Sequence, residues 1–85
     1  MLILGRGARE GVIITGPCRV QVASVRDGYV RLAFHADPYV RILRDELAVD
    51  IVEGKMPLTK DDHKALPIIR KLLRLPIAHF KEAKS

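Results

Sequence analysis

Eighty-five residues make one small domain, and a domain of that size seldom draws more than ~3–5 kcal/mol from a single core without disulfides, a metal or a partner chain. Cys18 is the only cysteine, which excludes an internal disulfide and a cysteine-based zinc site and suits a reducing cytoplasm. The formal net charge of +5 favours an anionic partner, while no stretch approaches the ~18 apolar residues of a membrane span and the opening apolar run lacks the basic flank of a signal peptide.

The opening run, Met1-Leu2-Ile3-Leu4-Gly5-Arg6, reads as a strand that is apolar on both faces, because Leu2 and Leu4 alternate with Ile3. Such a strand is expected in the interior, covered on both sides. Gly11 to Thr15 is a second strand, ended by Gly16-Pro17. Cys18 to Ala23 is a third, half-buried one, with Cys18, Val20 and Val22 inward and Arg19 and Gln21 outward. Val25 breaks that parity, as a β-bulge would. Arg26-Asp27-Gly28 carries the signal of a tight hairpin turn. Tyr29 to His35 then returns as a fourth strand, its inward set Val30, Leu32 and Phe34, its outward set Tyr29, Arg31, Ala33 and His35. After Asp37-Pro38, Tyr39 to Arg44 is a fifth strand. From Asp45 to Glu53 the period changes to helical, with Leu47, Ala48, Ile51 and Val52 on one face and acids on the first turn, and Gly54 ends it.

Charge follows the same layout. Residues 1–44 hold seven arginines (6, 9, 19, 26, 31, 41 and 44) and no lysine against three acids; 45–53 hold four acids and no cation; 54–85 hold eight cations against three acids. This divides the chain into a front domain, 1–53, and a basic helical C-terminal extension, 54–85. Arginine's planar fork suits phosphates and base edges, although a solvated surface has the same composition.

Met1-Leu2-Ile3-Leu4, Arg6, Glu10, Ile14, Val20, Val22, Val25, Val30-Arg31, Ala36 and Val40-x-Ile42-x-Arg44-x-Glu46 stand in a fixed register without a gap. In these positions the front domain resembles the carbon storage regulator family (CsrA/RsmA) of bacterial post-transcriptional regulators. The resemblance implies a mainly β fold in which five-stranded chains interleave as a homodimer, strands one and five of each protomer pairing with strands of the other. It also implies binding to GGA motifs in messenger-RNA 5′ leaders or small RNAs, and hence regulation of translation from the cytoplasm. The residues it assigns to the RNA site are Leu4, Arg6, Ala36, Ile42 and Arg44. For Arg44 the ordinary alternative is a surface ion pair with Asp45 or Glu46. The chain departs from the family pattern where Gly7 and Arg9 look exchanged, where Asp37 interrupts Ala-Pro, in Thr15-Gly16-Pro17, and at Leu43, a position that is often histidine.

The extension lies outside that resemblance. Thr59-Lys60-Asp61-Asp62 is a helix-capping signal, and Pro67 predicts two pieces or a kink, Lys60 to Leu66 and Pro67 to Leu75, with Pro76 as a second break. Leu66, Ile69 and Leu73 with Ile68, Leu72 and Leu75 form an apolar face opposite Arg70, Lys71 and Arg74. Three roles stay open: packing on the front domain, docking of a protein partner or a second copy through residues 59–80, or an added contact with RNA or an anionic membrane.

Nothing suggests an enzyme. His35, His63 and His79 are far apart, Asp61-Asp62-His63 reads as a solvated helix start, Ser24 and Ser85 are the only serines, and no glycine-rich phosphate loop occurs. No cofactor or metal is therefore expected. The aromatic residues Tyr29, Phe34, Tyr39 and Phe80 are too few for a base-stacking platform.

Overall fold

In the computed structural model, which describes residues 1–76, Asp27 and Gly28 turn the chain with φ of 50° and 75°. Two positive values in succession match the right-handed twist of the flanking strands. They join β3 (Arg19–Arg26) to β4 (Tyr29–His35), paired from Arg26 opposite Tyr29 to Arg19 opposite His35, with a register shift between Val22 and Ser24. The bulge thus falls just before Val25 and restores that valine to the face of Val20 and Val22. On its other side β4 pairs antiparallel with β1 (Leu2–Gly7), Leu2 opposite Phe34, Leu4 opposite Leu32 and Arg6 opposite Val30.

The sheet order β1-β4-β3 corrects the reading of β1 as an interior strand. Within the chain β1 is an edge, and Met1, Leu2 and Ile3 are exposed. The inward set of β3 is also uncovered, Val20, Val22 and Val25 being 46, 59 and 69% exposed. A single chain supplies three strands to this sheet and no second layer over most of its apolar face, so among its described residues only Arg6, Phe34 and Ala33 are buried, the last on the face expected to be outward. Cys18, expected to be buried, is half-buried ahead of β3.

The second body is built from β2 (Val12–Ile14), β5 (Ile42–Arg44), α1 (Asp45–Val52) and α2 (Lys60–Leu73). β2 and β5 pair antiparallel, Val12 opposite Arg44 and Ile14 opposite Ile42. β1 and β5, which the family resemblance pairs across two protomers, here find β4 and β2 within one chain. β5 is shorter than expected because Asp37-Pro38-Tyr39-Val40 forms a turn, closed by the Val40 N–H donating to the Asp37 carbonyl at 3.0 Å. Val40 is nevertheless buried.

The extension packs on the front domain. Ala65 and Ile69 of α2 join Leu43, Ala48 and Ile51 in one buried cluster, flanked by Ile13, Leu47, Met56, Leu58 and Leu66. α2 starts in a complete capping box: the Asp62 N–H donates to Thr59 Oγ1, and the Thr59 N–H donates back to Asp62 Oδ2. It runs unbroken through Pro67, contrary to the expected division. The proline removes one backbone bond at a cost of ~3 kcal/mol. Ala65 and Ile69, buried on either side of it, hold both halves to the same core, and Pro67 itself faces outward. The buried face is narrower than the sequence pattern, since Ile68 points to solvent. The last residues, 77–85, with His79, Phe80 and the end of the 59–80 segment, lie outside the described residues.

Because Ile69 is 0% exposed, Ile69→Ala should lower unfolding stability by ~2–5 kcal/mol. Urea unfolding followed by circular dichroism measures this; an unchanged midpoint would mean that α2 is not part of the cooperative fold.

Candidate functional site

Arg6 lies on the apolar face of the sheet, in line with Leu2 and Leu4, and is 8% exposed. A cation there needs acceptors, and the second body provides them. Nη1 and Nη2 donate to Glu46 Oε1 and Oε2 at 2.9 and 3.0 Å, Nη1 also to the Gly11 carbonyl at 3.2 Å, and Nε to the Gly5 carbonyl at 3.0 Å. This is the two-point fork that arginine makes with a carboxylate. Glu10, 3.8 Å from Nη2, holds the β1–β2 turn by accepting the Gly7 N–H at 2.6 Å. The hydrogen bonds from Arg6, the Glu46 backbone N–H and the nearby charges of Arg6 and Arg44 push the Glu46 carboxyl down to about 2. In return, the Glu46 hydrogen bond raises Arg6 above its ordinary value.

Glu46 is thereby committed to Arg6, so the ordinary surface pair of Arg44 with Glu46 does not form. Arg44 ends β5, is exposed, and among the described residues makes no ion pair. It occupies the N-cap of α1, where no side chain caps the helix. An arginine is chemically out of place there: it cannot accept the free N–H groups, and its charge faces the positive end of the helix dipole.

The other candidates lie on β1, after β4 and on β5. Leu4 is half-buried in mid-β1, opposite Leu32. Ala36 and Ile42 line a cleft of about 240 Å³ with Leu2, Phe34, Asp37 and Arg41. Ala36 and Ile42 thus line one cleft, while the Glu46 carboxylate is held by Arg6 and feels the charge of Arg44 without pairing with it. The sequence reading missed that second-body acids hold Arg6 and Arg41. Glu46 is forty positions from Arg6, and Asp62, 3% exposed, accepts from Arg41 Nε. Burial alone would raise the Asp62 carboxyl, but the Thr59 and Arg41 hydrogen bonds outweigh it and hold it below its ordinary value. Neither pair has a local sequence signal. Among the described residues no group of three or more metal-ligating side chains occurs, and no helix is long and apolar enough to cross a membrane.

Glu46→Gln tests the junction. A carboxyl at about 2 in the folded chain and 4.5 ordinarily adds stability that is present above 4.5 and lost as the pH falls through 2, since the unfolded chain binds the proton first. Urea midpoints measured between about pH 5 and pH 2 should therefore fall less steeply for the variant than for the parent. Parallel curves would show that the pair contributes nothing.

Comparison with known proteins fits this architecture. The model of the family CsrA, described as a global regulator protein family, matches residues 1–53. Translational regulator CsrA of Helicobacter hepaticus is 39% identical over 82 residues, covering 95% of this chain and 100% of the relative. The protein of the same name from Helicobacter pylori strain J99 is 37% identical over 75 residues (87% and 99%), and that of Wolinella succinogenes 32% over 75 residues (87% and 99%). Alignments of this length necessarily run past residue 53 into α2, so the likeness to these relatives reaches further than the front domain. No solved structure matches the chain at a significant level. With its family match over residues 1–53 and its relatives aligned over most of their length, the chain belongs to the CsrA global regulator protein family.

Proposed function

We propose that the chain is a non-enzymatic, cytoplasmic translational regulator that binds RNA at GGA motifs in messenger-RNA leaders or small RNAs. The observation that carries this reading is Arg44: an exposed guanidinium without an ion-pair partner among the described residues, held at a helix N-cap where it does not serve the fold. Local rules of this kind are broken mainly where function requires it. Arg44 offers a rigid fork of donors to a phosphate or to a guanine edge in an unpaired loop, where base edges are accessible. Ala36 and Ile42 are the apolar surroundings of that contact, and Leu4 supports β1 beneath it from the sheet face it shares with Leu32. Arg6, whose donors are largely used within the chain, contributes by fixing the Glu46 carboxylate beside Arg44. Names of relatives as translational regulators support the regulatory role.

The working form in this proposal is a homodimer. Val20, Val22 and Val25 lie exposed beside Leu32 and Val30 on one apolar sheet face, more than a small monomer ordinarily leaves open. A second copy covers that face, and the β1–β4 and β2–β5 pairings can form between two chains with the same registers. A second reading, docking of a protein through residues 59–80, is favoured by the exposed Ile68 and Leu75 near the end of the extension.

Three measurements test these statements. A gel shift with a GGA hairpin and its CCA counterpart should show clear preference for GGA; equal binding would favour the docking reading. Arg44→Ala should weaken GGA binding by ~1–3 kcal/mol while the protein remains folded, and unchanged affinity would remove Arg44 from the site. Sedimentation at micromolar concentration should give a dimer, and a folded monomer would overturn that part of the proposal.

A further inference from the structure

The sheet has a second face that the proposed site does not use. The β3–β4 register sets Arg19 and Arg26 beside His35 and Tyr29, with Arg31 between them opposite Ser24, and all of these are exposed. The two strands contribute no acid to this face. Among the described residues none of the three arginines is ion-paired. A depression of about 530 Å³ is lined by Arg26, Tyr29 and Arg31 together with Ser24, Val25 and one acid, Asp27 of the β3–β4 turn. The Tyr29 ring occupies the space that a Cβ at Gly5 would take, so β1 continues into this surface without a side-chain ridge.

Cations on an edge strand have an ordinary use, deterring pairing with another strand, and lysine is the residue most often used for it. That does not account for Arg31, which lies on the central strand β4, nor for a basic set made only of arginine. Adjacent strands lie about 4.8 Å apart, so RNA held at β1 has Arg31 one strand away and Arg19 and Arg26 two strands away, spread over roughly 23 Å of β3. The face is opposite to the apolar one, so a second copy on the apolar face leaves it open.

We propose that this arginine face is a second RNA surface, in which Arg19, Arg26 and Arg31 contact the phosphates of the strand flanking the motif read at β1 and β5. The inference rests on RNA being the ligand, as proposed above. Contacts of this kind add affinity and salt dependence but no sequence information.

The test uses the full chain, the variant Arg19→Gln/Arg26→Gln/Arg31→Gln, and a control of equal charge change on α2, Lys60→Gln/Lys64→Gln/Lys71→Gln. Folding and sedimentation of each are checked first; all six residues are exposed. Affinities are measured over a salt series for a GGA hairpin with single-stranded extensions, the bare hairpin, and their CCA counterparts. The arginine variant should reduce the slope of log K against log salt by about 2 on the extended RNA, at ~0.7 per phosphate contact, and by less on the bare hairpin. The lysine control should change it less, and the GGA-to-CCA ratio should be the same in all three proteins. An unchanged slope, or an equal loss in both variants, would overturn the proposal, the latter because net charge alone would then explain it. Absence of GGA preference in the parent protein would remove the specific reading and leave the slope comparison to decide this one.

Discussion

The Arg6–Glu46 junction holds the molecule's two bodies in register. β1-β4-β3 is one unit and β2-β5 with the two helices is another, and Arg6 is the side chain that enters the acceptor set of the second. Arg6 is the buried member of this fork and Glu46 the exposed one, so removing Glu46 would leave a desolvated cation without its main acceptor. The orientation is further constrained at Gly11. Its carbonyl accepts both Arg6 Nη1 and the Asp45 N–H, the first backbone donor of α1. One peptide group thus links the end of β1, the turn before β2 and the helix start. The placement of Arg44, immediately before Asp45, follows from it.

A second ion pair ties the extension to the same region. Arg41 is fixed at its backbone by Thr15, whose Oγ1 accepts the Arg41 N–H at 2.8 Å and whose own N–H donates to the Arg41 carbonyl at 3.0 Å. Its side chain then reaches the buried Asp62 in the first turn of α2. Asp62 therefore both caps its helix and anchors it to the segment that leads into β5. Leu43, one of the chain's departures from the family pattern, is fully buried beneath this helix. An apolar side chain at that position gives α2 a surface to pack on, and a neighbouring β5 residue, Arg44, is exposed by strand alternation. Packing of the extension and presentation of the arginine are consequences of one pleat.

What could be read from the sequence was what depends on neighbours in the chain. The Asp27-Gly28 turn, the extent of β4 and all of its face assignment but Ala33, the start of α1 and the Thr59 cap all arise from signals within a few residues, and the family motif added the chain's membership. Non-local outcomes were not readable. That β1 would be an edge depends on how many strands one chain brings to the sheet. That α2 would pass through Pro67 depends on a core supplied by Leu43, Ala48 and Ile51. Arg6 and Arg44 were grouped as one kind of residue by type and motif, yet burial separates them: Arg6 is largely satisfied within the chain and Arg44 is open. Arg9 shows the same limit in the backbone. It adopts φ 68°, a conformation easier for glycine, and the apparent exchange of Gly7 and Arg9 becomes a statement about strain only once that angle is known.

Strand alternation also organises the larger assembly proposed for the chain. Along β3 and β4 every apolar inward residue has a polar neighbour on the opposite face, and the bulge before Ser24 keeps this alternation intact to the end of the strand. If the same residues were paired without the bulge, Val25 would join Arg19 and Gln21, and Arg26 would turn toward the apolar side. A dimer built on the valines and an RNA surface built on the arginines would then compete for the same face. The bulge separates them. In the proposed dimer, association through the valine face would leave the arginine faces of two chains on the outside of a single particle, and the second RNA surface proposed above would then be present on both copies.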